Sequence, residues 1–400
     1  MPREHVVLLD DSGYGSCRHP DGTPFLDPAR HEVTLVAPAE SGAGGAPVDR
    51  VIAVDVLDRR EIRRILPILN NGPAVDHVAA TAEPLLVPAA TLRTQLGVAG
   101  YAPEHMVLFR DRTLMKQHFA AAGIRTPAHA ETGWPAEHAA LFERHGAVVL
   151  RPLDVTDTAP SFRFTDVHAL ERRVRENEEI EHRYRAEEYI SDDIYCVESV
   201  VRNGRPELAL AVRRLESPDA VTGAAGHRCV QLGPGGLRAI LLEFNRRVLR
   251  AVSWYSGVTH LEVALDQDGL PVFRELAARA GDGAVAAFRY GFGLDLRLAA
   301  LAPQVGMAPP RREIRGPLGR LSGWAVVRPP RTGPSDPIAP PGWDWVVDVE
   351  PRREASRQRG GVGGRPPGAA VVTVCGPDEE TVAERLELIV RAFGGHGSAS

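Results

Sequence analysis

Two glutamates, Glu262 and Glu275, lie in the stretch T-H-L-E-V-A-L-D-Q-D-G-L-P-V-F-R-E-L-A-A-R-A-G-D, at a spacing that lets two carboxylates meet across a tight bend. Asp268-Gly269 separates two apolar-rich runs of strand length, 258–265 and 270–277, and that dipeptide is a strong signal for a two-residue type I′ hairpin. A turn at those residues sets Glu262 opposite Glu275, with Cβ atoms roughly 5 Å apart. Side chains alternate faces along a strand, so His260, Glu262, Glu275, Ala277 and Arg279 then share one face. Two carboxylates so placed repel, and either a divalent cation or the nearby Arg279 can offset the repulsion. The plainer reading is a solvated strand face with both carboxylates in water.

The elements that must position this hairpin follow from periodicity. His5–Asp10, His31–Pro38, Val51–Val56 and Val75–Ala80 are short apolar runs, and Arg59–Leu69 between the last two is helix-like, so the first hundred residues read as an α/β unit around a parallel sheet. No G-x-G-x-x-G follows the first run, so a dinucleotide is not indicated. In R-D-R-T-L-M-K-Q-H-F-A-A-A-G-I-R-T-P, Met115, Phe119 and Ala122 recur at helical spacing and Gly123 is a natural stop. Lys116, one turn beyond Arg112, reads as a solvated helix residue. V-V-L-R-P (148–152) is a buried strand ending on a basic residue; a polar loop (154–161) and a charged helix (about 166–180) follow. Arg185–Ile190 and Tyr195–Arg202 read as adjacent strands, the second closed by an Asn203-Gly204 turn. Leu237, Leu241, Phe244, Val248 and Val252 mark an amphipathic helix just before the hairpin. Beyond it, Gly323–Val327 and Val371–Val374 are strands, a helix carries Val382, Leu386, Ile389 and Phe393, and within the Pro-, Gly- and Arg-dense segment 329–368 the part R-R-E-A-S-R-Q-R-G-G-V-G-G-R-P-P reads as a mobile loop.

Bulk properties narrow the class. Four hundred residues at 44% apolar and 25% charged describe a globular chain of two or three packed subdomains. A net charge of −5 argues against a general nucleic-acid binder, and no apolar run approaches the ~18 residues of a membrane span. A cytoplasmic location is expected, because the N-terminus M-P-R-E-H lacks the apolar centre of a signal peptide. The four cysteines are far apart without a C-x-x-C pair and are expected as free thiols. Among 47 basic residues Lys116 is the only lysine, so an arginine in place of an expected lysine can reflect composition rather than a change of role.

Taken in order, V-D-H-V-A-A-T-A-E, L-G-V-A-G, R-D-R-T-L-M-K…A-A-G-I-R-T-P, V-V-L-R-P, A-E-E-Y-I…Y-C-V-E…N-G and the hairpin stretch resemble the ATP-grasp superfamily, in particular its carboxylate-amine ligases such as the L-amino-acid ligases. The resemblance covers about residues 75–300. It implies an α/β, three-part ATP-grasp fold: an N-terminal parallel-sheet domain (1–110), a small lid lobe (111–195), and a C-terminal part made of a large lobe bearing the hairpin (196–310) with a β-rich subdomain as its extension (311–400). It further implies ATP and Mg2+ as cofactors, with ATP phosphorylating a carboxylate and an amine attacking the acylphosphate. Glu262 and Glu275 match the family's magnesium ligands, and Arg279 matches its arginine near the transferred phosphate. Arg112 and Arg151 match its phosphate-binding basic positions, where lysine is usual, and Ser161 matches a loop serine. Glu187, Glu188, Tyr189 and Ile190 match the adenine-binding strand, while the usual acidic ribose ligand has no clear counterpart. His260, in G-V-T-H-L-E, matches a histidine common in amino-acid ligases, either against substrate or as a structural hydrogen-bonding residue. The implied partners are a small-molecule carboxylate and an amine, with neither nucleic acid nor membrane, and dimers are frequent among such proteins.

Three departures bear on that reading: the glycine-poor loop after Arg151, Ala277 where many relatives have a metal-binding Asn, and the two arginines in lysine positions. Two alternatives therefore stay open. One is a biotin-carboxylase-like or purine-pathway ligase, the other an inactive nucleotide- or partner-binding scaffold.

Overall fold

The computed structural model describes residues 2–11, 14–39, 45, 47–54, 59–132, 135–153, 161–215, 228–281, 283–309, 320–327, 342–351 and 370–394. Strands β1 (Glu4–Leu9), β2 (His31–Pro38) and β3 (Arg50–Val54), helix α1 (Arg59–Asn70) and strand β4 (His77–Ala80) build a four-stranded sheet in the order β3-β2-β1-β4. Every pairing in it is parallel. Apolar residues along β1 leave water on both faces of the sheet, Val6 and Leu8 into one cluster and Val7 and Leu9 into another. That is the signature of a sheet covered on both sides. Helices α2 (Leu86–Leu96) and α3 (Pro103–Val107) lead out of it.

Helix α4 (Arg112–Ala121) starts because the Asp111 carboxylate accepts hydrogen bonds from Thr113 N at 2.8 Å and Leu114 N at 3.0 Å, a cap worth about 1 kcal/mol. Strand β5 (His129–Glu131), helix α5 (Pro135–His145), strands β6 (Val148–Pro152) and β7 (Phe162–Phe164), helices α6 (Val167–Arg175) and α7 (Glu178–Arg183) and strand β8 (Tyr184–Glu188) follow. The four strands form a small antiparallel sheet ordered β5-β8-β6-β7. The single charged helix expected at 166–180 is broken at Glu176-Asn177 into α6 and α7.

The large sheet comprises eight strands in the order β13-β12-β9-β10-β11-β14-β16-β15. They are β9 (Ile194–Arg202), β10 (Arg205–Leu215), β11 (Arg228–Gln231), β12 (Gly257–Leu265), β13 (Pro271–Ala277), β14 (Leu321–Val327), β15 (Val346–Pro351) and β16 (Ala370–Gly376). Helices α8 (Gly236–Arg250), α9 (Ala284–Phe292), α10 (Leu296–Leu301) and α11 (Glu379–Gly394) complete the fold. Asn203 and Gly204, at φ of 47° and 67°, make the β9–β10 turn that their sequence predicts. By contrast, β8 and β9 do not pair. β8 closes the small sheet and β9 is central in the large one, so the expectation of adjacent strands is corrected. Strand β15 lies just ahead of the stretch read as a mobile loop. It pairs with β16, and the loop stretch itself, Arg352 to Pro367, lies outside the described residues.

The hairpin is where the sequence reading needs its most instructive correction. The turn is not the two-residue Asp268-Gly269 loop: Asp266 N donates to Leu270 O at 3.0 Å and Gly269 N to Asp266 O at 2.9 Å, which encloses residues 267–269. Gly269 sits at φ +75°, the left-handed residue of a three-residue loop. That extra loop residue would shift the register by one. A β-bulge, with Val263 paired to Phe273 and Glu262 to Glu275, inserts Arg274 as an unpaired residue and shifts the register back. The Glu262–Glu275 pairing is therefore correct through two deviations that cancel. Leu261, Val263, Phe273 and Leu276 are fully buried against α4 and α8, each contributing ~1.5–3 kcal/mol, and Phe119 of α4 meets Phe273 with ring centroids 4.5 Å apart.

Candidate active site

Three strands and one helix N-terminus bring the site together. Glu275 on β13 stands beside Glu262 on β12, and β9 runs next to β12 with Cys196 opposite Glu262 and Glu198 opposite His260. From across the lobe, Arg112 at the first turn of α4 grips Glu275 Oε2 with its Nε at 3.2 Å and a terminal nitrogen at 2.7 Å. Its other terminal nitrogen donates to Pro152 O at 2.6 Å, and its backbone N to Leu153 O at 2.9 Å. Helix α4 is thereby tied to the end of β6, where Arg151 emerges.

Glu262 is encircled by cations rather than solvated. His260 Nε2 and Arg274 Nε stand 3.7 Å from its oxygens and an Arg214 nitrogen 3.9 Å. Burial favours the neutral acid, yet His260, Arg274 and Arg214 together hold the carboxyl well below the usual range. His260 Nδ1 lies 2.5 Å from Glu198 Oε1, and the second oxygen of Glu198 accepts Gly281 N at 2.9 Å. Burial opposes protonation of the ring, and Glu198 with Cys196 outweighs it, which holds the His260 pKa well above its ordinary value. Gly281 is required by close approach: a Cβ there would fall 2.8 Å from His260 Nδ1 and nearer still to Glu198 Oε1.

A second cluster lies beneath the first. The Glu187 carboxylate is 1% exposed and receives Lys116 Nζ and Arg185 Nε, the latter at 2.8 Å, with Arg151 Nε at 3.4 Å. Burial alone would raise the Glu187 pKa, but Lys116, Arg185 and Arg151 hold it far below the ordinary value. Burial pushes Lys116 down to about 7 despite Glu187, with Arg185 and Arg151 adding repulsion. Arg151 is likewise pushed down to about 10, by burial and by the like charges of Arg274 and Arg112. Positive charge thus converges here beyond what Glu187 and Glu262 neutralise.

Lys116 is the clearest correction to the sequence reading. It is 1% exposed and paired, not solvated, because α4 presents that face to the small sheet. Glu187 turns its side chain into this cluster. Glu188 accepts Arg125 at 2.7 Å and Ala128 N at 3.0 Å, with His145 Nδ1 at 3.1 Å. The backbone N–H groups of Glu188 and Tyr189 donate to Ala128 O and Ala147 O, within the small lobe. Ile190 lies at the end of β8 beside Tyr189, whose ring carries the Arg163 guanidinium 3.8 Å above it. Arg279 does not pair with Glu275; its Nε reaches Glu83 Oε2 at 2.6 Å, which joins the hairpin lobe to the end of β4. Ser161 is exposed, and residues 154–160 of its loop lie outside the described residues. Sequence reasoning missed Arg185, Arg214, Arg274, Glu198 and Glu83 as members of the site. Only Glu83, directly after the β4 run, carried a readable signal, an acidic residue at the carboxyl end of a parallel strand.

The Glu262–Glu275 pair suits a hard divalent cation. Both are oxygen donors on one face of one hairpin, and among the described residues no hydrogen bond occupies Glu275 Oε1. All four cysteines are buried and outside any disulfide, and among the described residues no helix is long and apolar enough to cross a membrane.

A parallel-sheet domain, a small antiparallel lobe and a larger sheet that carries an acidic hairpin across from them constitute the ATP-grasp fold. Solved structures share it over nearly the whole chain. The L-amino acid ligase from Bacillus licheniformis is 17% identical with a TM-score of 0.66, covering 97% of this chain and 98% of that one. N5-carboxyaminoimidazole synthase from Aspergillus clavatus, in complex with ADP and its aminoimidazole ribonucleotide, is 16% identical with a TM-score of 0.69, covering 98% of each chain. Phosphoribosylglycinamide synthetase from Anaerococcus prevotii is 12% identical with a TM-score of 0.65, again covering 98% of each chain. No protein-family model and no curated protein matches the chain.

Proposed function

We propose that this chain is an ATP-dependent carboxylate-amine ligase that forms an amide bond through an acylphosphate, joining two amino acids or an amino acid and a small amine. One observation carries the reading: Arg112, Arg151 and Arg274 converge beside the opposed carboxylates of Glu262 and Glu275, and burial together with the like charges of Arg274 and Arg112 depresses Arg151. Unbalanced buried positive charge next to a carboxylate pair suits a polyanion that arrives with a cation, as ATP does with magnesium.

In this scheme Arg112 and Arg151 hold the phosphates, and Glu188 and Ile190 present backbone groups to the adenine. Glu262 and Glu275 would hold Mg2+, which would supply positive charge to offset that of the nucleotide phosphates. Arg279 neutralises the developing acylphosphate, and Glu83 holds its guanidinium in position. His260, fixed by Glu198, orients Glu262 and adds a positive charge beside it. The protein forms no covalent bond in such a reaction; alignment and charge neutralisation carry the rate. The small lobe, tied to α4 through Arg112, would exclude water that otherwise hydrolyses the acylphosphate.

The test is an ADP-release screen over paired amino acids with product masses measured. Expected is ADP formation that needs both partners, with a product equal to their summed mass less one water. ADP formation driven by bicarbonate and an amine instead would favour a purine-pathway type of ligase. No ADP in any mixture would leave a nonenzymatic scaffold.

A further inference from the structure

The β9–β12 register places four functional side chains on one face of two neighbouring strands, Cys196 opposite Glu262 and Glu198 opposite His260. One ligand atom from each of Cys196, His260 and Glu262 lies within 4.8 Å of the other two. Glu198 is fully buried and holds His260 Nδ1, so Nε2 is the ring nitrogen that faces the cluster, 3.7 Å from Glu262 Oε1. We propose that Cys196, His260 and Glu262 form a binding site for a borderline transition-metal ion of the Zn2+ or Co2+ type, separate in chemistry from the magnesium pair.

The donor set decides the class of ion. A Cys196 thiolate, a neutral His260 imidazole and one carboxylate suit Zn2+ or Co2+, whereas Mg2+ takes oxygen donors, and the incoming ion displaces the Cys196 thiol proton and the extra proton of the His260 ring. Metal–ligand bonds of about 2.0–2.3 Å require ligand atoms roughly 3.3–3.8 Å apart. The Nε2–Oε1 separation already lies in that range, and the sulfur needs only a small approach. The Glu198–His260 hydrogen bond supplies the carboxylate–imidazole support that metal-bound histidines ordinarily have, and Gly281 N anchors the far oxygen of Glu198. Three protein ligands leave a fourth position for water or a substrate atom. Glu262 belongs to both sites, so occupancy by such an ion withdraws one ligand from the pair proposed for magnesium. The metal site itself does not depend on the ligase reading; only this competition does.

The experiment titrates Co2+ into the metal-stripped full chain and records its absorption spectrum. Expected are a thiolate-to-cobalt charge-transfer band and d–d bands of four-coordinate intensity, saturating at one equivalent. Cys196→Ser abolishes the charge-transfer band. Glu198→Gln keeps the wild-type spectrum at saturation but weakens Co2+ affinity about 10–100-fold, the usual effect of losing a ligand-supporting group. Circular dichroism establishes that both variants fold. A six-coordinate spectrum without charge transfer in the wild type overturns the proposal, as does a band that survives in Cys196→Ser and so belongs to another thiol. In a second arm, Zn2+ inhibits Mg-dependent ADP formation in the wild type, and Cys196→Ser needs at least tenfold more Zn2+ for the same inhibition. Equal Zn2+ sensitivity of the two proteins counts against the shared ligand. If the chain forms no ADP at all, the ligase reading fails while the cobalt spectra still decide the metal site.

Discussion

Replacing Glu187 by Gln is the most informative single perturbation of the buried cluster. The carboxylate offsets three cations, of which Arg185 is fully buried and Lys116 nearly so. At an effective dielectric constant of about 20, its attraction to Arg185 at 2.8 Å and Arg151 at 3.4 Å is roughly 5–6 kcal/mol each, before desolvation is subtracted. Measured losses on deleting one partner of a buried pair are about 3–5 kcal/mol. Glutamine keeps an acceptor for Arg185 Nε, and Lys116 can shed its proton near neutrality, so about 3 kcal/mol is expected. In urea unfolding at pH 7, with an m-value of about 3 kcal/mol/M, this lowers the midpoint by about 1 M. Adding Lys116→Met to Glu187→Gln should recover about 1 kcal/mol, because one uncompensated charge leaves the interior. A midpoint within about 0.2 M of wild type would refute the reasoning, since it would mean that water already screens these groups.

Three further outcomes are expected. Arg112→Met should weaken Mg-ATP binding at least tenfold by calorimetry while the fold persists, because the side chain serves both Glu275 and the end of β6. Arg279→Ala should lower kcat by about 10²–10³-fold, the scale of losing one donor to a developing oxyanion, with little change in ATP KM; a purely structural Glu83 contact would instead lower the melting temperature and spare kcat. Lys116 sets a pH dependence of stability. Its folded pKa, about 7, lies below the unfolded value of 10.5, so the unfolded chain binds more protons between those values and stability from this group rises with pH across that window. Glu187 acts at the other end: its depressed pKa contributes stability above about pH 4.5 that is lost on acidification. Denaturant titrations should therefore show the wild type gaining on Lys116→Met from pH 7 to 10, and a flat difference would contradict the burial of the ammonium.

How far the sequence disclosed this molecule depends on whether local pattern or distant contact decides a residue's place. The alternating apolar runs gave the parallel sheet, Asn203-Gly204 gave its turn, and Met115 and Phe119 gave the buried face of α4, all features fixed within a few residues. The Glu262–Glu275 pairing was also legible, although the three-residue loop and the Arg274 bulge each break the rule used and only together restore it. That same bulge is why Arg274 escaped notice: strict alternation puts it on the opposite face from Glu275, whereas an extra residue re-aims its side chain toward Glu262. Lys116 was misread because its partner Glu187 is 71 residues away, and helical position alone cannot distinguish a solvated lysine from one buried against a carboxylate on another element. Arg214, Cys196 and Glu198 join the site through the pairing of β12 with β9 and the approach of β10, and no local spacing encodes such strand order.

The central claim is that the opposed glutamates and the crowded arginines together hold magnesium and nucleotide. Calorimetric titration with ATP, with and without Mg2+, on the wild type, Glu275→Ala and Arg151→Met tests it most directly. The account predicts one Mg-dependent site in the wild type, loss of the magnesium dependence in Glu275→Ala, and at least tenfold weaker binding in Arg151→Met. Absence of any heat in the wild type, or identical affinities in all three folded proteins, would contradict it.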